Sequence, residues 1–144
     1  MTAAGVISLA VGCAAVTEDL LYGRISNWTA GAGFLGGILL HAWQGGWRGG
    51  LWALAGAALG FIVFLVFFLA KGLGGGDVKL MAAFGSLVGP GATLWGAWAA
   101  AVIGGLMALT FAAVGALRRG AAPATIPYAP AIVSGVWLAQ FVLG

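Results

Sequence analysis

Charged side chains are almost missing from this chain. Of its 144 residues, 62% are hydrophobic and only 6% are Asp, Glu, Lys or Arg. A soluble domain carries about 25% charged residues, so this chain cannot cover a folded core with a polar surface. Its six Lys and Arg residues form no basic run, which argues against a nucleic-acid partner. The composition predicts an integral membrane protein whose surroundings are the lipid bilayer.

Cysteine and histidine are equally scarce, with one of each in the chain. A single Cys cannot form an internal disulfide, and no CxxC pair is available for zinc. We therefore expect no metal and no cofactor. Cys13 lies inside an apolar segment and is predicted to be a small buried side chain. The apolar N-terminus lacks a preceding basic region, so we expect a retained first helix and not a removed signal peptide.

Six apolar segments are candidates for membrane helices, separated by clusters of Gly, Pro and charged residues. We expect them to be helical, because backbone exposed to lipid must satisfy its hydrogen bonds within the segment. The predicted segments are residues 3–16, 28–43, 51–70, 78–88, 92–117 and 128–143. The fold class is therefore all-α and polytopic, and we expect one membrane domain over residues 1–144.

Glycine is abundant, with 27 residues in the chain. Several pairs lie four residues apart on the predicted helices: Gly33 and Gly37, Gly56 and Gly60, and Gly85 and Gly89. Small residues at this spacing let helices approach closely in lipid, where the hydrophobic effect does not drive association. Most of these glycines are therefore predicted to have a packing role.

The basic residues predict the orientation. The loops after the first, third and fifth segments carry five of them and the other side carries one: Arg24, Lys71, Lys79, Arg118 and Arg119 against Arg48. By the positive-inside rule, the first set of loops faces the cytoplasm, and both chain ends face away from it. The three acidic residues, Glu18, Asp19 and Asp77, then lie on the cytoplasmic side.

The fourth segment is unusually short. Between Asp77 and the break at Gly89–Pro90 it has about 11 residues, or about 17 Å of helix. The hydrocarbon core of a bilayer is about 30 Å thick. Either the helix continues through Pro90, or it begins below the membrane surface. In the second case Asp77 lies at the bottom of a wet, glycine-lined depression.

Asp19 and Asp77 are the candidate catalytic residues. Carboxylates at membrane depth are costly and indicate a function by default. Two carboxylates that lie close together cannot both ionise easily, so one keeps its proton. The ionised group can then take a proton from water while the protonated one polarises a peptide carbonyl. Alternatively, Asp77 is only a helix N-cap and Asp19 is a solvated partner of Arg24.

Three sequence motifs follow one another along the chain. "DLLYGRISNW" has an aspartate followed eight residues later by an asparagine, here Asp19 and Asn27. "GGGDVKLMAAFG" fits a GxGDxK pattern with Gly74, Gly76, Asp77 and Lys79. "IPYAPAI" is a proline-tyrosine-proline segment near the end of the chain. In this order, the three resemble the motifs of the type IV prepilin peptidases.

That resemblance implies a GxGD-type aspartyl protease with Asp19 and Asp77 as the catalytic dyad. It also implies a prepilin substrate with a basic leader and an apolar helix, cut after a glycine at the cytoplasmic face of the inner membrane. Gly74 and Gly76 are expected either to admit the substrate backbone or to pack. Lys79 is expected to hold the loop, act on an aspartate, meet the substrate, or extend to the interface.

Two departures from the family pattern bear on these expectations. Ser26 stands where the family has proline, and this replacement is expected to loosen the turn. Glu18, which is next to Asp19, is expected to be solvated. The N-terminal domain with two CxxC pairs found in larger members is absent, so neither methylation nor zinc is implied. In size the chain is similar to the short peptidases of tight-adherence (Flp-type) pilus systems.

Other functions remain open from the sequence. A related branch of the family processes archaeal preflagellins. A small transporter or channel could use Asp19 and Asp77 as ion sites, and a membrane scaffold would use neither for catalysis. The sequence does not indicate an oligomeric state.

Overall fold

The structure, a computed structural model, describes residues 2–117 and 126–143, and within these ranges all regular secondary structure is helical. The helices are α1 (Ala3–Tyr22), α2 (Asn27–Leu69), α3 (Gly75–Leu117) and α4 (Ala129–Leu143). The first three are long and apolar enough to cross a membrane, and α4 is a shorter apolar helix. This confirms the predicted all-α class. The basic pair Arg118 and Arg119 lies outside the described residues.

α2 folds back on itself at Gly46. This residue has non-helical dihedral angles, φ 59° and ψ −147°, and only glycine adopts a positive φ at little cost. A Cβ atom on Gly49 would collide with the backbone carbonyl of His41, although the two residues would be about 12 Å apart along a straight helix. The predicted break in "QGGWRGG" is therefore confirmed.

α3 has a corresponding break at Gly89, with φ 76° and ψ 174°, followed by Pro90. Helical geometry is interrupted here, so the first alternative for the short segment, an uninterrupted helix through Pro90, is wrong. The helix also begins at Gly75, earlier than predicted, and this places Asp77 in its first turn. Most side chains in the part of α3 before Gly89 are buried, Leu80 among them.

This first part of α3 lies between the two parts of α2. The closest approaches are Gly33 with Ala83, Gly37 with Ser86, Gly56 with Gly85, and Gly60 with Met81. The first two pairs show that the first parts of α2 and α3 run parallel, and the last two show that the second part of α2 runs antiparallel to them. The predicted packing role of these glycines is confirmed, because each of them meets another helix.

α1 and α4 pack antiparallel at the side of this core. The Gln140 amide donates a hydrogen bond to Ser8 Oγ at 2.7 Å at one end, and the Ala129 N–H donates to Asp19 at the other. At that second end, Lys79 near the start of α3 reaches Asn27 at the start of α2. The end of α1 and the starts of α2, α3 and α4 thus meet at one end of the bundle.

The outer surface is apolar, as a surface facing lipid must be. Trp28 is 88% exposed and Trp43 is 91% exposed, and both lie near ends of predicted segments, where aromatic belts occur. Cys13 is also exposed, so its predicted burial is wrong. It lines an open groove of about 350 Å³ between α1 and α4. An apolar residue on a membrane helix can be solvated by lipid tails and does not need to be buried in protein.

Candidate active site

A cavity of about 290 Å³ opens at the end of the bundle where α1 ends and α3 and α4 begin. It is lined by Asp19, Leu20, Gly23, Gly74, Asp77, Ile126, Pro127 and Tyr128. Two carboxyl groups from separate helices therefore share one cavity. These are the two aspartates that the sequence analysis paired.

Asp19 lies in the last turn of α1, and the first residue of α4 holds it in place. Its Oδ2 atom accepts a hydrogen bond from the Ala129 N–H at 3.0 Å. The first N–H groups of a helix have no partner within the helix, and the positive end of the helix dipole favours a negative charge. The beginning of α4 is thus a suitable anchor for the Asp19 carboxylate.

Asp77 is more deeply placed, with only 8% of its surface exposed. Its Oδ2 atom accepts from the Gly74 N–H at 3.0 Å, and its own N–H donates to the Gly74 carbonyl at 3.2 Å. The carboxylate of Asp77, the third residue of α3, thus supplies one half of a capping box. The alternative in which Asp77 is itself the N-cap is wrong, because α3 begins at Gly75, and the same side chain also lines the cavity.

The two glycines of the GxGD motif have different surroundings. Gly74 lines the cavity. Gly76 packs instead on the turn between α1 and α2, where a Cβ atom would lie 3.3 Å from Ile25 Cβ. Lys79 contacts the same turn, because its Nζ atom donates to Asn27 Oδ1 at 2.8 Å. This contact joins the start of α3 to the start of α2, and the roles expected for Lys79 stay predictions.

A sequence model of the type IV leader peptidase family matches residues 6–116, that is 111 of the 144 residues. The chain belongs to the type IV leader peptidase family. Membership implies a protease, and the apolar helices agree with a membrane protein. No curated protein and no solved structure matches the chain.

The contacts of Glu18 were not predicted. Glu18 is half-buried, and its carboxylate accepts from the Ser26 N–H at 2.8 Å, the Ser26 hydroxyl at 3.0 Å and the Thr29 hydroxyl at 2.7 Å. Ser26 also caps α2 by accepting from the Thr29 N–H at 3.1 Å. Glu18 is thus only partly exposed and is bonded to the start of α2, and the expectation that Ser26 loosens the turn stays a prediction. A serine has the N–H and hydroxyl donors that proline lacks.

Tyr128 lines the cavity but was not predicted as part of the site. Its hydroxyl donates to the Ala100 carbonyl at 3.1 Å, and its ring packs against Gly104. The side chain therefore joins the segment before α4 to the second part of α3. The signal was present in the sequence, since Tyr128 is the tyrosine of the "IPYAPAI" motif.

Within residues 2–117 and 126–143, no group of three or more His, Cys, Asp or Glu side chains is placed to hold a metal ion. Across the same ranges, the Oδ1 atoms of Asp19 and Asp77 accept no hydrogen bond, whereas both Oδ2 atoms do. Each carboxyl group thus has one oxygen that is held by a backbone N–H and one oxygen that could bond to water or substrate.

Proposed function

We propose that this leader peptidase is an aspartic endopeptidase in which Asp19 and Asp77 hydrolyse the peptide bond that joins a leader to a prepilin-like protein. One observation carries the proposal: the two carboxyl groups line the same cavity, and a backbone N–H fixes one oxygen of each. Fixed acids with available oxygens are what general acid–base hydrolysis requires.

In the proposed reaction, one carboxyl group of the pair is ionised and the other is protonated, because two adjacent charges repel each other. The ionised group takes a proton from a water molecule while the water oxygen attacks the peptide carbonyl carbon. The protonated group donates its proton to the carbonyl oxygen. When the C–N bond breaks, a proton passes to the leaving nitrogen, which leaves a new amine and a new carboxyl group.

We also propose that the chain crosses the membrane six times, with the cavity at the cytoplasmic face of the inner membrane. The breaks at Gly46 and Gly89 support this number, because an unbroken helix of 43 residues would be about twice as long as the hydrocarbon core is thick. Lys71 and Lys79 lie in or beside connections at the cavity end, whereas Arg48 lies near the reversal at the other end. This distribution supports the orientation.

The proposed substrate has a basic leader, a glycine and an apolar helix. A bilayer-embedded apolar helix would reach the enzyme through the lipid, and its extended leader would enter the cavity at the end of the bundle. The part of α3 before Gly89 has 14 residues, 75–88, or about 21 Å of helix. Since this is shorter than the hydrocarbon core, the carboxyl group of Asp77 would lie below the membrane surface.

The test uses the protein purified in detergent and a synthetic prepilin segment with these three features. Asp19→Asn and Asp77→Asn keep the shape of each side chain and remove its ionisable group. We expect each change to lower the cleavage rate about 10²- to 10⁴-fold. Thr110→Val is the control, because this exposed residue bonds only within its own helix, and its cleavage rate should be unchanged.

The same variants separate the other possible functions. In a transporter, Asp19→Asn and Asp77→Asn would abolish ion flux into liposomes that contain the protein, and the wild type would not cut the peptide. In a scaffold, neither Asp19→Asn nor Asp77→Asn would change peptide cleavage or ion flux. Cleavage at the wild-type rate by either single variant would eliminate the aspartic mechanism.

A further inference from the structure

The residues that flank the two aspartates contact the same short turn. Glu18 directly precedes Asp19 on α1, and Lys79 follows Asp77 by two residues on α3. Both side chains reach residues 23–27, which are the connection from α1 to α2 together with the first residue of α2 and are called the α1–α2 turn below. The cavity with the two carboxyl groups therefore has a common support on one side.

On the α1 side, Glu18 makes the connection. Its Oε2 atom accepts from the Ser26 N–H at 2.8 Å, and its Oε1 atom accepts from the hydroxyls of Ser26 at 3.0 Å and Thr29 at 2.7 Å. Hydrogen bonds to a charged group are stronger than those between neutral groups. Three of them, partly buried, hold the last turn of α1 against the start of α2.

On the α3 side, the turn is held by a polar contact and a packing contact. Lys79 Nζ donates to Asn27 Oδ1 at 2.8 Å. Ile25 lies against Gly76, where even a methyl group would be 3.3 Å from Ile25 Cβ. The packing contact limits how closely the turn and α3 can approach, and the polar contact opposes their separation.

We propose that the α1–α2 turn is a spacer that sets the separation of the Asp19 and Asp77 carboxyl groups, with Glu18 and Lys79 as its positioning residues. This inference rests on the proposed function, since the separation matters because the two groups act on one water molecule. Displacement of a reacting group by about 1 Å can reduce a rate about 100-fold. A turn bonded to a residue beside each aspartate is suited to prevent such a displacement.

The experiment compares Glu18→Ala with Glu18→Gln in the purified, detergent-solubilised full chain, using the synthetic prepilin segment as the substrate. Glu18→Ala removes all three contacts, and we expect kcat to fall at least about tenfold with KM changed less than about threefold. Glu18→Gln keeps an oxygen acceptor for the two hydroxyls and should recover most of kcat. If Glu18→Ala does not fold, the test rests on Glu18→Gln, whose kcat should still be measurably lower than that of the wild type.

The contact between Lys79 and Asn27 is tested in the same assay. Lys79→Met should lower kcat by a smaller factor than Glu18→Ala, because its contact is exposed, and Lys79→Arg should restore it. Lys71→Met is the matched control, since it removes a positive charge from the neighbouring α2–α3 connection, and its kcat should equal that of the wild type. Equal loss in Lys71→Met and Lys79→Met would show a charge effect and overturn the positioning role of Lys79.

A pH profile distinguishes positioning from a general structural role. The titratable groups lining the cavity in the described ranges are Asp19, Asp77 and Tyr128. Moving the two carboxyl groups apart weakens the repulsion between their charges. The two apparent pKa values that bound the pH profile of kcat should therefore become more similar. A loss of stability alone would lower the amount of active enzyme and leave the profile unchanged.

The outcomes separate this inference from the proposed function. If Asp19→Asn or Asp77→Asn cleaves at the wild-type rate, the aspartic mechanism fails. If both are inactive but Glu18→Ala keeps the wild-type kcat and pH profile, the mechanism stands and the spacer is disproved. A rise in KM without a fall in kcat would also disprove it, because it would assign Glu18 to substrate binding.

Discussion

Replacing Gly56 with alanine should push α2 away from α3, the helix that carries Asp77. A Cβ atom at this position would collide with the Gly85 carbonyl oxygen and lie 2.9 Å from the carbonyl carbons of Gly85 and Gly89. Favourable carbon contacts begin at about 3.5 Å, so α2 and α3 must separate by at least about 0.5 Å. A gap of that size removes about a quarter of the attraction between facing atoms.

The expected magnitude follows from comparison with Gly31→Ala. Gly31 is also in α2, and no atom lies within 4 Å of a Cβ placed there. Both variants gain about 1 kcal/mol of helix propensity, which cancels in the comparison. Overpacking then makes the free energy of unfolding of Gly56→Ala about 1–3 kcal/mol lower than that of Gly31→Ala.

The assay is unfolding of the purified protein by SDS in mixed micelles, followed by a parallel measurement of cleavage. Asp77 is eight residues from Gly85 along α3, or about 12 Å, so a displaced α3 should also lower kcat, by up to about tenfold. Equal unfolding midpoints for Gly56→Ala and Gly31→Ala would refute the close helix contact and the reasoning built on it.

Three further changes test other contacts. Gly76→Ala should lower kcat several-fold, because the new methyl group would press on Ile25. Gly75→Ala should leave kcat unchanged, because the atom nearest to its new methyl group would be 3.7 Å away. Equal cleavage rates for the two variants would contradict this prediction. Tyr128→Phe removes a hydroxyl that donates to a backbone carbonyl of α3 and should lower the free energy of unfolding by about 1 kcal/mol, as measured by SDS titration. His41→Leu removes a hydrogen bond of 2.9 Å at the opposite end of the bundle and should lower stability by a similar amount without changing kcat. A fall in kcat in this variant would mean that the two ends are coupled.

Local features of the sequence were sufficient to predict the helix breaks and the packing glycines. A glycine next to proline, or a cluster of glycines with a charge, interrupts a membrane helix through backbone properties that need no knowledge of the rest of the fold. The pairing of Asp19 with Asp77 could also be expected, because both lie at helix ends that the distribution of basic residues placed on one side of the bilayer.

The partners of these residues could not be predicted in the same way. The N–H group that holds Asp19 belongs to Ala129, 110 positions later, and no periodicity relates the two. Glu18 was assigned to solvent from its position on the α1 helix, but the beginning of α2 lies beside it and provides three donors. Cys13 was misassigned because protein and lipid are both apolar surroundings, so hydropathy does not distinguish them.

The hydrogen bond from Ala129 to Asp19 has a consequence for how the enzyme is made. A ribosome adds about 5–20 residues per second, so Asp19 enters the membrane about 5–20 s before the amide that will hold it has been synthesised. During the later part of that interval, once Asp77 has been added, the nascent chain contains both carboxyl groups, but Asp19 still lacks its anchor. The cavity that holds both carboxyl groups would therefore be complete only after the last helix docks, because Tyr128 and the residues before it form part of its wall.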